Sequence, residues 1–252
     1  MKAALIAPKG YYNTVHVSNY HLALAQIDTD DYLSNYAYEA GAGDYVIVDN
    51  GAAEGSTVSD ADLIIAARNM SANEVVVPDV MRDCEGTINR VRDFLDRKSH
   101  WSGLPPLRFM LVVQGLDWHE VQRSIDHYMN TYDNPVLGIP RHFLTTLADV
   151  EARIHVLKYI ARRWGEDTRV HLLGTNPVWP KEVKTIGKEF PWVRGVDSSM
   201  PYNYAIAGFR IDAPDVHMNR PGAYFTADWT GKIDNDTLSY NIDTFLSWAR
   251  GA

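Results

Sequence analysis

The stretch DYVIVDNGAAEG, residues 44–55, sets an apolar run, Tyr45 to Val48, directly against Asp49, Asn50 and Gly51. A short run that is apolar at successive positions reads as a strand buried on both faces. Its abrupt end on a carboxylate, an amide and a glycine has two readings. Asp, Asn and Gly favour turns and helix caps, so the plainer reading is a turn. The other is a carboxylate held at the edge of a buried sheet for chemistry. The sequence on either side decides between them.

Short β-rich runs alternate with helical patterns along nearly the whole chain. On the N-terminal side, YHLALAQ (20–26) is the first convincing strand, and AALIAP (3–8) ahead of it reads as a hairpin partner or cap. Asp residues open a helical stretch after it and Gly41 closes that stretch. On the C-terminal side, a helix from about 59, with Ser59 as its N-cap, leads to strand 74–78. The rhythm continues through helix 85–98, strand 108–113, helix 117–130 and strand 135–139. Helix 145–164, strand 169–173, helix 180–188 and strand 192–196 follow. Leu147, Val150, Ile154, Leu157, Ile160 and Ala161 give the longest of these helices its apolar stripe. An eighth strand is predicted at 222–226 (GAYFT), before a last helix at about 238–250.

Strands buried on both faces and alternating with helices define a parallel sheet covered by helices. Eight of them predict an α/β fold of the closed (β/α)8 TIM type, as one domain spanning 1–252. No GxGxxG follows an early strand and there is no Walker-type loop, which argues against dinucleotide and P-loop folds. No linker, low-complexity tract or further repeat interrupts the pattern.

Composition narrows the class further. The chain is 46% hydrophobic and 22% charged, ordinary for a soluble globular protein. No run approaches a membrane span, and the start MKAALIAPKG has too short an apolar core for a secretory signal. Cys84 is alone, so neither an intrachain disulfide nor a cysteine zinc cluster is expected. The expectation is a cytoplasmic protein without membrane attachment. A formal charge of −8 argues against a uniformly basic coat but leaves room for a local basic face. Candidates are Arg90, Arg92, Arg97 and Lys98, the pair Arg162 and Arg163, and Lys181, Lys184 and Lys188. Solvated helix faces are the plainer reading of each.

In a (β/α)8 barrel the residues just past the strands build the active-site rim. Here they are Asp49, Asp79 (VVVPDVM), Gln114 (LVVQG), Gly138 (VLGIP), Gly174 (HLLGTNP) and Asp197 (VRGVDSS). Asp79 and Asp197 each have a plainer role as helix caps, and Gln114 and the glycines as turn formers. Their convergence on one rim favours a site. Two nearby aspartates divide labour as nucleophile and general acid/base, as paired carboxylates do at glycosidic bonds. A third carboxylate beside an amide suits a purine-like ligand, accepting from ring N–H and exocyclic NH2. No Ser-His-Asp or Cys-His constellation is evident, and the nine histidines form no HxH or HExxH pair, so neither a catalytic metal nor another cofactor is expected.

The motifs DNGAAEG, PDVM, VVQG, LGIP, LLGTNP and GVDSSMPYNYA occur in this order between residues 44 and 208. As an ordered set they resemble the tRNA-guanine transglycosylase superfamily, and most closely its short phage and bacterial members that act on DNA. The resemblance implies a (β/α)8 barrel that exchanges guanine in a polynucleotide for a 7-deazaguanine (queuine and its 7-cyano precursor preQ0 belong to this class). It implies Asp197 as the nucleophile at the sugar C1′, Asp49 as general acid/base, and Asp79 with Gln114 as the base-reading pair. Gly138 becomes a backbone donor to the purine oxygen, Leu173 a surface packing on one face of the base, and Asn50 and Gly174 further substrate contacts. The sequence departs from the family in lacking the cysteine ligands of its zinc subdomain and a C-terminal RNA-binding extension, which favours DNA over tRNA. It also has Ala53 where relatives carry a stacking aromatic, leaving Tyr202, Tyr204 or Phe143 to stack. Alternatives are a tRNA-acting enzyme, a non-catalytic partner subunit, which the three retained aspartates oppose, and an unrelated barrel hydrolase or lyase for a small sugar or nucleoside.

Overall fold

The computed structural model describes residues 1–55, 58–97, 106–143, 147–213 and 216–252. Eight strands form one parallel sheet: β1 (Lys2–Leu5), β2 (Tyr20–Leu24), β3 (Tyr45–Asp49), β4 (Glu74–Val76), β5 (Arg108–Val112), β6 (Val136–Pro140), β7 (Arg169–Leu173) and β8 (Gly195–Ser198). The hydrogen-bonded order is β1-β8-β7-β6-β5-β4-β3-β2, a (β/α)8 barrel curled until β1 packs beside β2. At that seam the Ser18 hydroxyl donates to the Ala3 carbonyl at 2.6 Å.

The expected rhythm holds from residue 20 to residue 198, but the eighth strand lies elsewhere. Residues 222–226 form turns, and the strand that completes the barrel is β1, which pairs Ala4 with Asp197 and Leu5 with Ser198. Tyr224 and Phe225 have strand-forming side chains, yet Tyr224 is buried from a turn, its hydroxyl donating to the Ile6 carbonyl. Tertiary packing overrides the local preference there.

Among the described residues the α-helices are α1 (Asp30–Gly41), α2 (Asp60–Asn69), α3 (Cys84–Asp96), α4 (Trp118–Thr131), α5 (Ala152–Trp164), α6 (Glu182–Glu189), α7 (Met200–Ile206) and α8 (Asn235–Ala249). The helix expected from 145 begins only at Ala152. Ala148 has φ +50, a left-handed conformation that stops a helix, so Leu147 and Val150 lie in turns. Residues 145 and 146 of that expectation, and the end of helix 85–98 at Lys98, fall outside the described residues.

The helix caps show whether the polar residues that end the strands serve as caps. Ser59 accepts from the Asp62 amide at the start of α2, Asp83 from Gly86 at α3, and Asp117 from Glu120 at α4. Asp49, Asp79 and Gln114 therefore do not cap the helices that follow them. Asp197 lies within β8 and does not cap α7, whose N-cap is Ser199.

The barrel interior is polar at its floor. Arg194 makes a two-pronged contact with the buried Glu74 (2.6 and 2.7 Å), and the Tyr45 hydroxyl donates to the same carboxylate at 2.6 Å. Tyr20 stacks on Tyr45, with ring centres 5.7 Å apart. Gly195 makes room for it, since a Cβ there would stand 2.6 Å from the Tyr20 ring. Above this plug the buried His171 of β7 stands between Tyr20 and Asp197.

Candidate active site

At the C-terminal ends of the strands a cavity of about 210 Å3 opens. Its wall includes Asp49, Asn50, Asp79, Gln114, Leu173, Gly174 and Asp197, so the barrel brings together these residues from five separate strand ends. Gly138 is the exception. It is the central residue of β6, its carbonyl accepts from the Val113 amide at 2.9 Å, and it does not line the cavity. A Cβ at this position would meet Leu173 Cδ1 at 2.9 Å and Met110 Sδ at 3.0 Å. Gly138 is thus small so that Leu173 can pack over it, while Pro140 and Arg141 reach the mouth from this strand.

The three carboxylates have different surroundings. Asp197 is held by two N–H donors on one oxygen: the Gly174 amide at 3.1 Å and His171 Nε2 at 3.1 Å. Gly174 takes φ +70, a turn open to glycine, and its carbonyl accepts from Arg153 at 2.7 Å. Arg153 is itself paired with Glu182, both buried. The loop after β7 is thus pinned from behind while its amide faces Asp197. His171 and Tyr20 extend the arrangement downward, with Tyr20 Oη 2.8 Å from His171 Nδ1. Burial pushes the His171 pKa down, against the opposing pull of Asp197, so the ring is neutral. Burial also pushes the Tyr20 phenol well up, so its O–H donates to Nδ1 and leaves Nε2–H for Asp197.

Asp49 sits in a desolvated part of the cleft. Desolvation in the cleft raises its pKa well above the usual carboxylate range, and the charges of Glu54, Asp197 and Asp79 add to this, opposed by the Gly51 amide. Asp49 is the carboxyl most disposed to carry a proton. Glu54 is tied across the mouth to Arg220 at 2.6 Å.

Asp79 is clasped by two amides. Gln114 Nε2 donates to Oδ2 at 2.5 Å and Asn50 Nδ2 to Oδ1 at 3.3 Å. Both amides are fixed at their other ends: Gln114 Oε1 accepts from the Arg82 amide at 2.9 Å and Asn50 Oδ1 from Ala52 at 2.7 Å. Asn50 also donates to the Val77 carbonyl at 3.1 Å. Gln114 and Asn50 therefore orient Asp79, which lines the cavity. Burial raises the Asp79 pKa, with Gln114 and then Asn50 opposing it.

Several expected side chains lie away from the mouth. Tyr202, Tyr204 and Phe143 are all buried in the core and do not line the cavity, so stacking opposite Leu173 does not come from them. The apolar lining of the cavity includes Leu173, Met81 and Met218. Arg90 and Arg97 both reach Asp60, joining α3 to α2 on the barrel's flank. Among the described residues, Arg141 and Arg220 are the arginines that line the cavity. His171 escaped the sequence reading because its signal, a histidine inside an apolar strand, is also that of an ordinary core residue.

Among the described residues no helix is long and apolar enough to cross a membrane. In comparisons with known proteins, no family model and no curated sequence matches this chain. The class defined by fold and cavity is that of a (β/α)8 barrel with a tri-aspartate mouth.

Proposed function

We propose that the chain is a base-exchange glycosyltransferase of the tRNA-guanine transglycosylase type. It removes guanine from a polynucleotide, DNA in preference to tRNA, and inserts a 7-deazaguanine. The observation that carries this reading is the pairing, in one cavity, of a carboxyl with a raised pKa, Asp49, and a carboxylate oriented by two N–H donors, Asp197. Two neighbouring carboxyl groups in different surroundings can divide into proton donor and nucleophile.

The Asp197 carboxylate attacks C1′ as the C1′–N9 bond breaks, and the Asp49 carboxyl gives its proton to the departing guanine. Asp49, now ionised, takes the N9 proton of the incoming base as that nitrogen attacks C1′ and the aspartyl ester bond breaks. Protons and electron pairs balance without an added cofactor. Asp79 accepts from the N–H and NH2 groups of the purine, held in aim by Gln114 and Asn50, while Leu173 covers one face. Arg141 and Arg220 suit the flanking phosphates. A base in a duplex has to be flipped out to enter the cavity.

Incubation of the protein with DNA or tRNA and labelled guanine tests the reading, followed by mass spectrometry of nucleosides after addition of 7-deazaguanines. Label in DNA supports it; label in tRNA alone moves the substrate; label in neither overturns it.

A further inference from the structure

At the end of the barrel opposite the mouth, His21, Glu39 and Asp44 place three potential metal ligands within 4.8 Å of one another. The topology assembles them. His21 is the second residue of β2; Tyr20 beside it points into the barrel, so His21 points outward to the helix layer. Glu39 sits in the last turn of α1, and Asp44 immediately precedes β3. His21 Nε2 lies 2.9 Å from Asp44 Oδ2 and 3.8 Å from Glu39 Oε2. Tetrahedral zinc bonds set neighbouring ligand atoms about 3.3 Å apart, between these two separations. His16, in the 3-10 turn Tyr12–Val17, brings Nδ1 against the other Glu39 oxygen. His16 and Asp44 also line a surface depression, which gives an ion a way in.

Charge points the same way. Glu39 is 3% exposed, and its Oε1 lies buried without a hydrogen bond of ordinary geometry. Among the described residues, the ion pairs of Glu39 and Asp44 are to histidines only, with no lysine or arginine. Two adjacent carboxylates and two imidazoles form a donor set that a divalent ion neutralises, and oxygen with imidazole nitrogen is a zinc-type set.

We propose that His16, His21, Glu39 and Asp44 bind a divalent transition-metal ion of the zinc class, which ties the first βα unit together at the floor of the barrel. The site is independent of the chemistry at the mouth. No local spacing motif announced it, because its ligands come from a turn, a strand, a helix and a loop.

The full chain, stripped with a chelator and dialysed, would be titrated with Zn2+ by calorimetry and with Co2+ by visible absorption. One equivalent should bind with a Kd in about the micromolar range or tighter. Co2+ should give the d–d bands of a tetrahedral ion, and Tm should rise with Zn2+ concentration. His16→Ala, at a half-exposed position that leaves the core intact, should weaken binding at least about tenfold, as loss of a ligand must. Asp44→Asn should do the same. Failure to bind one equivalent, octahedral Co2+ spectra, or unchanged affinity in both variants would overturn the proposal.

Discussion

His171 Nε2 lies 3.1 Å from Asp197 Oδ1, and Tyr20 Oη lies 2.8 Å from the other nitrogen of the same ring. A neutral imidazole thus fixes the direction of the carboxylate from inside the barrel. This makes His171 a positioning residue in the proposed exchange. His171→Leu should lower kcat by about 10²-fold, the cost of roughly 1 Å of misplacement, and leave KM nearly unchanged. His171→Gln, whose amide N–H reaches the same oxygen, should recover part of the loss. A purely structural role would lower stability and leave the kcat-to-KM split unmoved.

Asp49 carries a stability signature that needs no substrate. Its folded pKa is raised, so ionisation favours the unfolded chain. Below the unfolded pKa, about 3.9, both states hold the proton and the group costs nothing. Above it the cost grows with pH and levels off once the folded carboxyl ionises. Asp49→Asn should therefore gain stability over the parent progressively from about pH 4 upward, while losing exchange. Denaturant midpoints across pH check this; a gain that shrinks with rising pH would reverse the sign of the Asp49 shift.

Asp79→Asn should fold normally and bind guanine more weakly. An amide cannot accept from both N–H and NH2, and it faces the NH2 groups of Gln114 and Asn50. Loss of one charged hydrogen bond, about 1.5–3 kcal/mol, corresponds to roughly ten- to hundredfold in Kd. Titration with guanine and a 7-deazaguanine measures it, and unchanged affinity for both would remove Asp79 from base reading.

Arg153→Met should destabilise the fold by about 3–5 kcal/mol by stranding the buried Glu182. It also frees the Gly174 carbonyl, so activity should fall further than stability alone accounts for. Adding Glu182→Leu should restore much of the stability and little of the activity. Urea melts beside exchange rates separate the two effects.

The strand-end residues were legible because each apolar run stops on a polar side chain, as Val48 gives way to Asp49 and Val113 to Gln114. Gly138 has no such polar side chain and sits mid-strand, where Leu173 needs the space. The β1 strand was hidden by its shortness and by Pro8, while GAYFT carried stronger strand formers in a segment that packs as turns. The link from His171 to Asp197 depends on the pairing of β7 with β8, His171 against Gly195, and no local pattern encodes that register. The cluster at the barrel floor was invisible for the same reason.

The covalent role of Asp197 is the central claim, and trapping tests it most directly. Wild-type protein given DNA without an incoming base should form a denaturant-resistant protein–DNA adduct that added 7-deazaguanine resolves. Peptide mapping should place the sugar on Asp197. Asp197→Asn should still bind DNA, form no adduct and lose exchange by several orders of magnitude, about 10⁴-fold or more. An adduct mapped to Asp49, or near-normal exchange by Asp197→Asn, would contradict the account.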